Sequence, residues 1–134
     1  MAHRERIVVT AAVVERDGAF LLTRRLDGTH LAGHWEFPGG KLHAGETLEE
    51  CLVREIREEL DAEISVGAEI LATVHDYDDR SIELRFFRCA LESAPRPTLG
   101  QEMRWVALRD LRSIQLPPAD DELVRLLTGD LRRG

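Results

Sequence analysis

Residues 7 to 14, Ile7-Val8-Val9-Thr10-Ala11-Ala12-Val13-Val14, are apolar or small at nearly every position. A strand with one wet face alternates with period two, so an uninterrupted run of this kind belongs to a strand covered on both faces, central in its sheet. A chain carrying such a strand must bring material to both sides of a sheet. Asp17-Gly18 follows, between this run and Phe20-Leu21-Leu22. It is a short-range hairpin signal, because glycine accepts the positive φ of a tight reversal. Residues 26 to 34 lack periodicity and read as a loop, with a short strand and a sharp turn in Trp35-Glu36-Phe37-Pro38-Gly39-Gly40.

Thr47 and Glu50 form a capping box, and Leu48, Cys51, Leu52, Ile56 and Leu60 recur at helical spacing, predicting a helix over 47–60. Ile64, Val66, Ala68, Ile70, Ala72 and Val74 then alternate as in a half-buried strand. Asp78-Asp79-Arg80 turns that strand back into Ile82, Leu84 and Phe86, residues 92 to 101 form a proline-containing loop, and a strand resumes over Met103 to Leu108. Pro117-Pro118-Ala119-Asp120 opens a last amphipathic helix through Leu123, Val124, Leu126 and Leu127. Strands and helices are interspersed, so the class is α/β or α+β, with a mixed sheet between helices.

The length of 134 residues suits one domain, taken as 1–134. No apolar run approaches the roughly 20 residues of a membrane-spanning helix, so no membrane partner is expected. The net charge of -7 argues against duplex nucleic acid as a partner and leaves a small anion needing a local basic pocket. Cys51 and Cys89 show no CxxC or Cys/His spacing and read as buried free thiols. The segment Met1 to Arg6 has charge with no apolar stretch ending in a cleavage site, so no signal peptide is expected and the expected location is cytoplasmic.

Glu55, Glu58 and Glu59 stand at i, i+3 and i+4 on the predicted helix. They therefore project within roughly 100° of arc, and Glu55 and Glu59 fall beside Leu48 and Leu52 at the edge of the apolar stripe. Like charges so placed call for a cation. A hard divalent ion with oxygen ligands, Mg²⁺ above all, completes its shell with a substrate phosphate. The alternative is a charged face neutralised by Arg54 and Arg57. Before the helix, Gly39-Gly40-Lys41 offers a backbone that can approach a ligand, with a positive charge beside it.

Gly40, Glu46, Arg54, Glu55, Ile56, Glu58 and Glu59 fall at the spacing of the Nudix box, G-x5-E-x7-R-E-U-x-E-E-x-G-U with U aliphatic. The chain resembles a Nudix hydrolase. It departs from the pattern at Asp61 and Ala62, where glycine and an aliphatic residue are usual; Asp tolerates a left-handed helix end, so a costlier cap and an intact metal site are expected. Thr23-Arg24-Arg25, Trp35 to Lys41, Glu102-Met103-Arg104-Trp105 and Leu116 to Asp120 are similar to the MutT-type nucleoside triphosphate pyrophosphohydrolases.

The resemblance implies an α/β/α sandwich whose box holds Mg²⁺, or Mn²⁺ in its place. Glu55, Glu58 and Glu59 would be ligands together with a backbone carbonyl at Gly39 or Gly40, while Arg54 and Glu46 brace the loop. Water would attack the β-phosphorus of a nucleoside triphosphate, releasing monophosphate and pyrophosphate, a reaction that suits the clearing of oxidised nucleotides such as 8-oxo-dGTP, or of cytosine nucleotides, from the pool. Arg25, Arg80 and Lys41 would meet phosphate and His30 the substrate; Phe37 or Tyr77 would stack on a base or simply pack; Glu102 would be a further metal ligand or base. Asp120 stands where that branch commonly has asparagine. An ionised aspartate only accepts hydrogen bonds, which would favour bases presenting donors over thymine and uracil. It can instead cap the last helix. Rival readings are a hydrolase of dinucleoside polyphosphates or ADP-ribose, for which Tyr77 speaks, and a non-catalytic nucleotide sensor. A monomer or homodimer is expected. His3, His34, His43 and His75 show no ligand spacing.

Overall fold

The computed structural model describes residues 5–133; His3 and most of the Met1 to Arg6 segment lie outside the described residues. Strand β1 (Glu5–Arg16) is central as the unbroken apolar run requires. It pairs antiparallel with β2 (Ala19–Arg24) and β4 (Gly39–Lys41), and parallel with β6 (Arg80–Leu91). The path β3-β2-β1-β6-β5 is completed by β3 (Trp35–Glu36) and β5 (Ile64–Asp76), with β7 (Met103–Ala107) on β2. The β1–β2 hairpin turns through Asp17 at φ 52° and Gly18 at φ 78°, both left-handed as a two-residue reversal demands.

The two faces of β1 enter two different cores. Ala11 and Val13 join Phe20, Phe86, Leu123 and Leu127 on the side of α2 (Asp121–Arg133). Ala12 and Val14 join Leu52, Ile56 and Leu60 of α1 (Leu48–Leu60). The result is a mixed sheet flanked by helices, an α+β fold. Helix α1 starts where the capping box places it, with Thr47 accepting from the Glu50 N–H at 3.1 Å and Glu50 accepting from the Thr47 N–H at 2.8 Å.

In one place the sequence pattern misleads. The register of β5 against β6 breaks between Val66 and Glu69 and again between Glu69 and Leu71. A one-residue slip exchanges the faces of a strand. Beyond the breaks Leu71, Thr73 and His75 are the better covered, while Ala72 and Val74 lie exposed, the reverse of the simple alternation. After β7, Leu108–Ser113 winds into a 3-10 helix that sends Leu111 into the core, and Pro118–Asp120 forms a second 3-10 turn ahead of α2. Among the described residues no helix is long and apolar enough to cross a membrane.

Candidate active site

Strand β4 and helix α1 make the floor of the site. Thr10 of β1 pairs with Gly40, and the two glycines serve close approach rather than a special backbone angle. A Cβ on Gly39 would lie 2.8 Å from the Thr10 carbonyl carbon, and one on Gly40 would lie 2.5 Å from both Glu55 carboxylate oxygens. What comes against the Gly40 backbone is therefore the Glu55 side chain.

Arg54 ties this floor together. Its Nε donates to Glu46 at 2.6 Å, Nη1 to Glu55 at 2.9 Å and to Glu58 at 3.3 Å, and Nη2 to the Lys41 carbonyl at 3.0 Å. Those hydrogen bonds hold the Glu46 carboxyl down at about 2 and raise the Arg54 guanidinium further above its usual range. The bracing role that the resemblance implied for Arg54 and Glu46 matches these contacts. Cys51 is buried beneath the same loop, its thiol 3.2 Å from the Thr10 hydroxyl. Cys89 is half-buried, with its thiol pushed up to about 12 by burial.

Above the floor opens a cleft of about 570 Å³. Glu55, Glu59, Glu36 and Asp120 line it, together with Arg25, His30, Lys41, Tyr77 and Arg80. A smaller cavity of about 170 Å³ shares Arg25, Glu36 and Glu59 with it and is lined further by Thr23, Arg24 and Gln101. Burial first, then the charges of Glu55 and Glu36, pushes the Glu59 carboxyl up to about 8 against a hydrogen bond from the Gly39 backbone. Burial raises Glu55 and Glu36 as well, opposed by Arg54 in one case and by Arg25 in the other.

Among the described residues no three acidic, histidine or cysteine side chains are already gathered as a metal-ligating group. Glu58, 58% exposed, turns to Arg54 and lies outside the lining of both cavities. The donor chemistry nevertheless fits a hard cation. Carboxyl oxygens of Glu55, Glu59 and Glu36 are half-buried near one another, where burial opposes the ionisation of each and the charges of Glu55 and Glu36 oppose that of Glu59, an arrangement that a divalent ion relieves.

Other expected site residues are placed less simply. Arg25 is already engaged, with Nη1 on Glu36 at 2.7 Å and Nε on the His30 carbonyl at 2.5 Å. Arg80 lies 3.7 Å from Asp79 and lines the cleft. Tyr77 meets His30 edge-to-face at 5.3 Å and His75 at 4.7 Å, so His75 supports the aromatic wall. Phe37 is a core side chain, edge-on to Phe20 and Phe86 at 6.5 and 6.2 Å, and this packing leaves only part of its ring to the cleft. Glu102 is 62% exposed and held 2.8 Å from Arg24, a residue of the smaller cavity's wall, and is not itself in the lining of either cavity.

Glu36 and His43 line the cleft and were not singled out from the sequence. The signal for Glu36 was its place between Trp35 and Phe37: with both aromatics turned into the core, a strand must point the residue between them the other way. Asp120 is buried, and burial, Glu36 and Asp121 push its carboxyl up to about 8, which favours at neutral pH a protonated form that donates as well as accepts.

The NUDIX domain family model matches residues 9–126, which includes every residue named in this floor and cleft. The chain belongs to the Nudix hydrolase family. It is of the MutT type. It is 34% identical over 119 residues to the CTP pyrophosphohydrolase of Escherichia coli K12, covering 88% of each chain. To the 8-oxo-dGTP diphosphatase of Haemophilus influenzae it is 36% identical over 128 residues, covering 92% of this chain and 93% of that one. The solution structure of the E. coli ORF135 protein superposes with a TM-score of 0.81 at 32% identity, over 96% of this chain and 91% of that one. Within this Nudix hydrolase the box thus occupies the floor of the cleft: Gly40 over Glu55, Arg54 clamped to Glu46, and Glu59 against Gly39.

Proposed function

We propose that this Nudix hydrolase cleaves nucleoside triphosphates to monophosphate and pyrophosphate, with the base near Asp120 and the phosphates over Glu55 and Glu59. The observation that carries the reading is that one cleft joins the box carboxylates to Asp120. Glu55, Glu58, Glu59 and a carbonyl of Gly39 or Gly40 would hold Mg²⁺ or Mn²⁺. The bound ion would offset the charge that builds on the transferred phosphoryl group. Lys41 and Arg80 approach the phosphate chain from the cleft wall, Tyr77 and His30 offer aromatic faces to the nucleoside, and Arg25 orients Glu36.

A protonated Asp120 presents one donor beside one acceptor. That pattern matches the N–H and C=O edge of guanine or oxidised guanine and the amine and ring nitrogen of cytosine. The edges of thymine and uracil carry it too, so selection against them does not follow from Asp120. Removal of such nucleotides from a cytoplasmic pool is the setting that this chemistry suits.

The test is a screen of nucleoside triphosphates, oxidised purines included, with dinucleoside polyphosphates and ADP-ribose alongside, in Mg²⁺ and in ¹⁸O water. Pyrophosphate carrying the label is the expected product. Label in the monophosphate, orthophosphate as first product, or turnover confined to the dinucleoside polyphosphates or ADP-ribose would overturn the reading.

A further inference from the structure

The box departs from its family pattern at Asp61, and the structure compensates in an unusual place. Asp61 ends α1 in the left-handed region at φ 49°, a conformation that costs a residue with a Cβ about 1 kcal/mol and that glycine adopts freely. A helix end also leaves its last carbonyls without partners inside the helix. Here each of the last four is met. The Asp61 N–H donates to the Arg57 carbonyl at 3.0 Å and the Arg96 N–H to Leu60 at 2.7 Å. Glu59 accepts from the Thr98 N–H at 2.9 Å and from Gln101 Nε2 at 3.1 Å. The Thr98 hydroxyl sits 2.5 Å from the Glu58 carbonyl and 3.1 Å from that of Glu59.

Apart from the Asp61 N–H, these donors come from one segment. It is anchored on both sides of the helix end: Glu92 donates to Glu63 at 2.8 Å before it, and after it the Glu102 carbonyl accepts from the Arg24 N–H of β2 at 3.0 Å. Arg96 also pairs with the Asp61 carboxylate at 2.6 Å. The proline-containing loop of the sequence is therefore a cap, and two of the carbonyls it grips belong to Glu58 and Glu59.

We propose that Thr98 and Gln101 form a latch that fixes the last turn of α1 and so holds the Glu58 and Glu59 carboxylates in the geometry a divalent ion needs. They are positioning residues, acting through the backbone of the residues they bind. The proposal rests on the reading of Glu58 and Glu59 as metal ligands. Helix ends fray unless their carbonyls are held, and fraying here would swing Glu59 away from Gly39, against which its carboxylate rests. Loss of a group that orients a ligand characteristically weakens metal binding by tenfold or more, whereas loss of an ordinary cap lowers stability alone.

The test uses the full chain with Thr98→Val, which keeps shape and the backbone N–H and removes the hydroxyl, and Thr98→Ser, which restores it. Mn²⁺ binding is followed by electron paramagnetic resonance without nucleotide, beside kcat, KM and thermal melting, with Glu59→Gln as control. Thr98 is exposed, so both variants fold. In Thr98→Val the Mn²⁺ dissociation constant should rise about tenfold and kcat fall with it while KM stays within about twofold, and Thr98→Ser should recover both. A Thr98→Val protein that melts lower but matches wild type in Mn²⁺ affinity and kcat would overturn the latch while Glu59→Gln still loses Mn²⁺. Undiminished Mn²⁺ binding by Glu59→Gln would overturn the metal-ligand reading itself.

Discussion

Asp120→Asn should stabilise the protein by an amount that grows with pH. Asp120 is buried and its carboxyl lies at about 8, against an ordinary value near 3.8. Between those values the folded chain keeps a proton that the unfolded chain has released, so rising pH favours unfolding by about 1.36 kcal/mol per pH unit. Above the folded value both states are ionised and the difference levels off. From pH 5 to pH 8 the loss amounts to about 4 kcal/mol, and asparagine, which never ionises, removes it. In urea, with a slope of about 2 kcal/mol/M, that corresponds to a midpoint difference between variant and wild type that widens by about 2 M over this range. Urea unfolding of the two proteins at pH 5, 6, 7 and 8 is the assay. Midpoint curves that run parallel would refute the reasoning, because Asp120 would then be ionised in the folded state or its charge compensated there. The same protonation makes a functional statement: base preference should be alike in the two proteins at pH 6.5 and diverge above pH 8, where wild type alone loses its donor.

Three further outcomes follow from the floor of the cleft. Glu59→Gln should lower kcat at least about 10²-fold with melting temperature unchanged or raised, since glutamine replaces a half-buried carboxyl whose ionisation burial and the charges of Glu55 and Glu36 oppose; full activity of this variant in EDTA would refute its role. Gly40→Ala should lower kcat at least about tenfold, because the new Cβ occupies the place of the Glu55 carboxylate, and a variant of wild-type kcat would show that Glu55 moves aside without cost. Arg54→Met should lower the urea midpoint, because Glu46 and Glu55 lose their shared partner; a midpoint equal to that of wild type would mean that water replaces the guanidinium.

How much of this was legible in the chain depends on how far each determinant reaches. The Asp17-Gly18 reversal, the Thr47–Glu50 capping box and the burial of β1 on both faces are set by residues within four positions of each other or by one continuous run, and each stands in the structure as the residues prescribe. The box spacing likewise placed Gly40, Glu46, Arg54, Glu55 and Glu59 together, because helix geometry and one short loop bring them there. Tertiary structure decided what depended on distant partners. The parallel pairing of β1 with β6 and the breaks that reverse the later face of β5 come from register between strands far apart in sequence. Glu36 and Asp120, 84 positions apart by their numbers, share one cleft, where burial and the Glu36 charge raise the cost of ionising Asp120 and favour a donor in place of the expected acceptor. Glu102 is drawn to Arg24 of β2, and Thr98 reaches back across 39 residues to the carbonyl of Glu59. Local pattern governs backbone conformation because its energies act between neighbours along the chain, whereas protonation and ligand geometry follow from burial and charge, which exist only once remote segments have packed.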